Sequence, residues 1–232
     1  NGSKAFITNS GTDMTAFVTV LAATGRRPDG SKELSSILVP KGTPGYHIAP
    51  PYNKMGWRAS DTHELSFMDC RVPEANLVGQ RGAGLRQFLH VLDYGRISVA
   101  TLGVGLAQAC LDLSLSYAKQ RVAFGETISH YQAIQFKLAD MAMEVELSRL
   151  ITYKSAVLAD QGKPFALEAA YAKLFASETS ERAASQCVQI HGGIGCMAES
   201  PAQRYYRDAK ILTIGEGTSE IQRLVIARQL GC

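Results

Sequence analysis

One carboxylate in this chain stands apart. In Gly215-Glu216-Gly217-Thr218-Ser219, Glu216 sits between two residues without side chains, just ahead of a helix-start pattern. The helix macrodipole alone favours an acid near a helix N-terminus. A plain loop, however, needs no backbone clearance on both sides of an acid, so the glycines point to a carboxylate that meets a ligand. Two other groupings stand out. Arg121-x-x-Phe124-Gly125, followed by Gln132, falls at a break between two long helical patterns, where an arginine also serves as a surface salt bridge. Gln189-Ile190-His191-Gly192-Gly193-Ile194-Gly195 is a glycine-rich helix end, which either caps a helix or lets a ligand approach bare backbone.

Other apparent motifs fail on context. His63-Glu64-Leu65-Ser66-Phe67 begins like a zinc-protease helix but has Phe in place of the second His and reads as a strand, so no metal site is expected. Tyr206-x-x-x-Lys210 has the spacing of a short-chain dehydrogenase pair without the preceding dinucleotide fold. Gly193-Ile194-Gly195 mimics a Rossmann fingerprint, but a helix precedes it where a strand is required. The cysteines fall mostly on apolar faces and read as small buried hydrophobes.

The elements that must position these groups have two periods. Six of the eight prolines lie in residues 1–80, where Ala5–Thr8, Ala16–Ala23, Leu34–Pro40, Tyr46–Ala49 and His63–Val72 read as strands between turn-forming residues. Consecutive strands without helical pattern between them imply an antiparallel sheet or barrel. From about Gly84 the period becomes 3.6, with Leu85, Phe88, Leu89 and Leu92 on one face. A second helix carries Ile134 to Leu158, and a third, expected to open with Pro164 in its first turn, carries Leu167 to Cys187. The first two run about 30 residues each, long enough to pack as an up-and-down bundle. A last helix is expected from Ser219, with Ser219-x-x-Gln222 as a capping box. The fold class is α+β: an antiparallel β-domain, then a four-helix bundle.

Composition narrows the function. The 232 residues are 46% hydrophobic and 19% charged, which is globular composition. A formal charge of +3, spread evenly, implies no face for nucleic acid or anionic lipid. No uninterrupted apolar run approaches the roughly 18 residues of a membrane span. Five cysteines without CxxC spacing argue for a reducing compartment and against a disulfide scaffold. A cytoplasmic location follows as an expectation, or the mitochondrial matrix in a eukaryote. Asn1 leads directly into a strand-like run, which suggests that sequence upstream of it is missing.

The run Gly215-Glu216-Gly217-Thr218-Ser219-Glu220-Ile221-Gln222-Arg223, with Arg207-Asp208-Ala209-Lys210 upstream, closely resembles the C-terminal signature of the flavin-dependent acyl-CoA dehydrogenases. Met55 to Thr62, Arg121 to Gly125 with Gln132, and Gln189 to Gly195 are similar to that family in the same order. The resemblance extends over essentially the whole chain. It implies a partial middle β-domain over residues 1–80 and the C-terminal helical bundle domain over 81–232, with the family's N-terminal helices and first strands absent.

The resemblance also implies a reaction. In this family a carboxylate removes the α-proton of an acyl-CoA thioester while a β-hydrogen leaves as hydride to flavin N5, and electrons pass on to an electron-transfer flavoprotein. Glu216 matches the base. One subgroup carries its base on the first bundle helix instead; here that position is Gly95, in Asp93-Tyr94-Gly95-Arg96, so Glu216 stands alone. Asp93, Arg96 and Gly217 resemble substrate contacts. Arg121, Phe124, Gln132, Gln189, Gly192 and Gly193 resemble FAD contacts, the arginine reaching the pyrophosphate of a neighbouring subunit's cofactor. Thr218 and Glu220 resemble adenosine-side contacts. Phe6 and Thr8 stand where many members have Trp-x-Thr against the isoalloxazine ring, and Phe6 lacks the indole N–H. A homo-oligomer, dimer or tetramer, is implied. Two alternatives stay open: a flavin oxidase of the same superfamily, which Glu216 disfavours, and an inactive module that only associates through its bundle.

Overall fold

Alternating apolar positions in the first half of the chain fold as two small antiparallel sheets in a computed structural model that describes all 232 residues. Strands β1 (Gly2–Thr8), β4 (Tyr46–Ile48) and β5 (Thr62–Phe67) form one sheet in the order β1-β5-β4. Strands β2 (Phe17–Arg26), β3 (Lys32–Pro40) and β6 (Leu77–Val78) form the other in the order β2-β3-β6. The β2–β3 hairpin closes where Asp29 accepts from the Ser31 amide at 2.9 Å and Gly30 takes φ +82°. Val20, Val39, Tyr46, Leu65 and Phe67 form a core shared by both sheets, with Tyr46 and Phe67 stacked at 5.0 Å. The five expected strands are present, but the last ends at Phe67 and does not run on to Val72. The sixth, β6, has only two residues and exists through pairing with Ser36 and Ile37 of β3. His63, on β5, is held between Asp61 at 2.7 Å and the Ala49 carbonyl at 2.6 Å.

The helical half comprises α1 (Gly84–Gln120), α2 (Gln132–Asp160), α3 (Ala166–His191), α4 (Pro201–Leu212) and α5 (Ser219–Gln229). A two-stranded hairpin, β7 (Val122–Ala123) with β8 (Glu126–Thr127), joins α1 to α2. The compact units are Asn1–Val91 and Leu92–Cys232, so α1 begins in the first and continues through the second. Four helices share a core of mostly small residues: Ala107 and Cys110 of α1, Met141 and Val145 of α2, Ala183, Ala184, Cys187 and Ile190 of α3, and Ala202 and Ala209 of α4. Gly103 lets α1 lie against α3, because a Cβ there would come within 2.8 Å of the Ala176 carbonyl oxygen. Buried hydroxyls in this core bond back to their own helices: Ser148 to the Glu144 carbonyl, Thr152 to that of Ser148, and Ser180 to that of Ser177.

Four expectations need correction. Pro164 lies outside α3, whose N-cap is Phe165. The cap of α5 is Thr218, whose hydroxyl accepts from the Ile221 amide, and the Ser219 hydroxyl has no partner. Cys196 and Cys232 are exposed, so only Cys110 and Cys187 behave as fully buried hydrophobes. Finally, α1 is long and apolar enough to meet the length and composition criterion for a membrane span. Its Val99, Ala100, Val104, Ala107 and Cys110 are spent on the bundle core.

Candidate active site

The turn between α4 and α5 is closed by the Ser219 amide donating to the Thr213 carbonyl at 3.0 Å. Inside it, Glu216 and Gly217 are both left-handed, at φ +57° and +93°. Glycine tolerates this; for glutamate it costs about 1–2 kcal/mol, which the surroundings must offset. Two wholly buried side chains do so. Lys173 of α3 donates Nζ to the Gly217 carbonyl at 2.6 Å, and Gln222 of α5 donates Nε2 to the same oxygen at 3.0 Å and to that of Glu216 at 3.4 Å. No hydrogen bond within the chain engages the Glu216 amide.

The Glu216 side chain is exposed and lies over Gly95 of α1: a Cβ built on Gly95 would fall 2.3 Å from Oε2. One residue on, Arg96 is buried, donates to Asp93 at 2.5 Å, and leaves its Nε without a partner. Burial pulls the Lys173 pKa down to about 8; the Glu216 carboxylate raises it in part, while Arg96 lowers it further. An acid, a buried guanidinium paired to Asp93 and a buried ammonium thus converge around the bare backbone of Gly95. The resemblance did not bring out Lys173. Its signal was present, as a lone charge in the stripe Ala169, Ala172, Lys173, Ala176 of α3. Beside this cluster, Thr218 caps α5 and Glu220 lies exposed in its first turn, its carboxyl held below the usual range chiefly by a backbone N–H and the Thr218 hydroxyl.

The remaining expected contacts collect at the other end of α3. Tyr117, in the last turns of α1, stacks on His191 at 4.4 Å, and Lys137 of α2 donates to Gln186 at 2.5 Å. Arg121, Gln132, Gln189, Gly192 and Gly193 lie exposed there, and the Phe124 ring is 98% exposed at the tip of the β7–β8 hairpin. Eighteen residues separate Lys173 from His191, about 27 Å along the helix. The structure therefore does not bring Arg121, Phe124 and Gly193 together with Glu216. This end suits a large aromatic anion. Gly192 and Gly193 have open space where a Cβ would sit, no carboxylate pairs with Arg121, and the Phe124 ring, edge-on to Tyr131 at 6.4 Å, keeps its faces exposed. In the β unit, Phe6 is 75% exposed at φ +58°, in the bulge of β1 between Lys4 and Ile7, and Thr8 ends the same strand exposed.

Comparison with known proteins gives this geometry a family. The acyl-CoA dehydrogenase C-terminal domain matches residues 82–231, and the middle domain of the same family matches residues 1–70. The chain belongs to the acyl-CoA dehydrogenase family. It is 57% identical to a probable acyl-CoA dehydrogenase, YngJ, of Bacillus subtilis, over 99% of this chain and 60% of the relative. It is 50% identical to the mitochondrial short-chain specific acyl-CoA dehydrogenase of Rattus norvegicus, over 99% of this chain and 55% of that protein. Butyryl-CoA dehydrogenase from Megasphaera elsdenii superimposes with a TM-score of 0.95 at 42% identity, covering 100% of this chain and 60% of that one. The chain thus spans a little over half the length of these family members.

Proposed function

We propose that the protein to which this chain belongs is a flavin-dependent acyl-CoA dehydrogenase and that Glu216 is its α-proton base. The observation that carries this reading is the exposed Glu216 carboxylate, held on a left-handed turn over the bare backbone of Gly95. An α-proton beside a thioester is weakly acidic, so its removal needs a positioned base and donors for charge developing on the carbonyl oxygen. The uncommitted amide of Glu216 stands beside the carboxylate and suits that second task. Arg96 and Asp93 would orient the acyl-CoA. FAD, when bound, accepts the β-hydrogen as hydride. Phe6 and Thr8 would contact its ring system, and Thr218 and Glu220 its adenosine side.

Arg121, Phe124, Gln132, Gln189, Gly192 and Gly193 would contact a second copy's FAD, with Arg121 reaching its pyrophosphate. Their separation of about 27 Å from the Glu216 end of α3 supports a partner's cofactor rather than the chain's own. Exposed Phe136, Met143, Leu147 and Leu150 on α2 support association of copies. Electrons would leave to an electron-transfer flavoprotein.

The test is Glu216→Gln in the complete, flavin-loaded protein, which keeps shape and removes basicity. Flavin should stay bound while its reduction by butyryl-CoA slows by several orders of magnitude. Bleaching at the wild-type rate would overturn the assignment.

A further inference from the structure

The geometry points to Lys173 as a positioning residue for the base: its ammonium pins the Gly217 carbonyl and so holds the left-handed Glu216–Gly217 turn with the carboxylate over Gly95. The inference rests on reading Glu216 as the base. Lys173 is fully buried in an alanine stripe of α3, where a methionine would pack without the cost of desolvating a charge. What its charge gains is a short bond, 2.6 Å, to one backbone oxygen of the strained turn. Gln222 grips the same oxygen from α5 at 3.0 Å, so the turn is clamped from two helices. Three carboxylates face the ammonium: Glu216 in the turn, Glu220 on α5 and Glu178 on α3 itself. Arg96 on α1 opposes them.

With a pKa near 8, Lys173 loses its proton within the range in which such an enzyme is assayed. The neutral amine bonds the carbonyl more weakly, the turn loosens, and the base drifts from its aim. In the complete flavin-loaded protein, the rate of flavin reduction by saturating butyryl-CoA should therefore fall as pH rises through about 8. Lys173→Met should reduce that rate ten- to a hundredfold and remove the alkaline limb. Flavin content should be unchanged and thioester affinity within about threefold. Hydrogen exchange at the Ser219 amide, which closes the turn, should quicken at least tenfold, a readout that needs no turnover.

A folded Lys173→Met protein that reduces flavin at the wild-type rate overturns the inference, provided Glu216→Gln collapses in the same assay. Full-rate reduction by Glu216→Gln instead overturns the base assignment, and this inference with it. Should Lys173→Met fail to fold, the wild-type profile decides together with Glu178→Gln. Removing that carboxylate lowers the Lys173 pKa, so the alkaline limb should move to lower pH. A flat wild-type profile from pH 7 to 10, or a limb that Glu178→Gln moves to higher pH, overturns it.

Discussion

The two ends of α3 carry polar groups in opposite ways. Near its start, Lys173, Gln222 and Arg96 are buried; the first two hold a strained turn by hydrogen bonds to its backbone, and the third is paired to Asp93. Near its end, Gln189, Gly192, Gly193, Arg121 and Phe124 are exposed, and none is fixed by an ion pair. Chemistry that depends on angles and tenths of an ångström needs side chains ordered before the ligand arrives. A surface that only receives part of a large ligand can leave its side chains in solvent until then, and meets the cost of ordering them at binding. The contrast separates a preorganised end from a receptive one, and it makes distinct predictions for each.

The largest effect belongs to the preorganised end, where Glu216→Gln should cost several orders of magnitude in flavin reduction with little change in stability. Arg121→Ala tests the receptive end. Losing a charge-assisted, forked contact to pyrophosphate should weaken flavin retention ten- to a hundredfold and loosen the oligomer. The rate of reduction in the fraction that keeps flavin should be unchanged. Equilibrium dialysis and sedimentation would show it, and a variant that reduces slowly with full flavin would erase the distinction between the ends.

Gly95→Ala is subtler. Its Cβ would fall 2.3 Å from Oε2 of Glu216, the far end of a flexible side chain that can turn aside. Thermal stability should therefore hold or rise slightly, since alanine favours a helix interior over glycine by about 1 kcal/mol. Flavin reduction should slow about tenfold. Equal losses of stability and rate would mean that Gly95 serves packing rather than clearance.

The smallest effect is one of pH on stability. Lys173 titrates near 8 in the folded chain and at its ordinary 10.5 when unfolded. Between those values the unfolded chain binds a proton that the folded chain has lost, so on this group's account stability rises with pH across that window. Below pH 8 the cost of burying the charge is felt in full. The melting temperature of Lys173→Met relative to wild type should thus decline between pH 8 and 10.5. Over the lower part of the same window catalysis is expected to fall, so stability and rate should move in opposite directions.

Much of this was legible in the sequence because it is local. Glycines around Glu216 announce a tight turn with bare backbone beside the acid, and 3.6-residue spacing announces α1, α2 and α3. What escaped depends on neighbours distant in sequence or on competing local readings. Strand β6 is two residues long and is ordered by β3. Helix α4 has a sequence-visible start, Ser200 before Pro201, and an apolar face of Ala202, Tyr205, Ala209 and Leu212, but its 12 residues are short and that face interleaves with the polar positions Tyr206 and Lys210. Thr218 and Ser219 are both cap residues, and only the direction of the chain leaving the turn selects the first. Lys173 gave a sign, a charge among alanines, whose meaning required knowing which carbonyl it faces.

The nearness of Gly95 to the Glu216 carboxylate has a consequence for descent. Two positions far apart in the chain, one on a long helix and one in a tight turn, address a single point in space. A carboxylate supplied from the helix while the turn reverted to glycine would put an acid in the same place from the opposite side. If Glu216 is the base, as proposed, proton abstraction could migrate between elements by two substitutions, and the base would be the property of a location before it is the property of a residue.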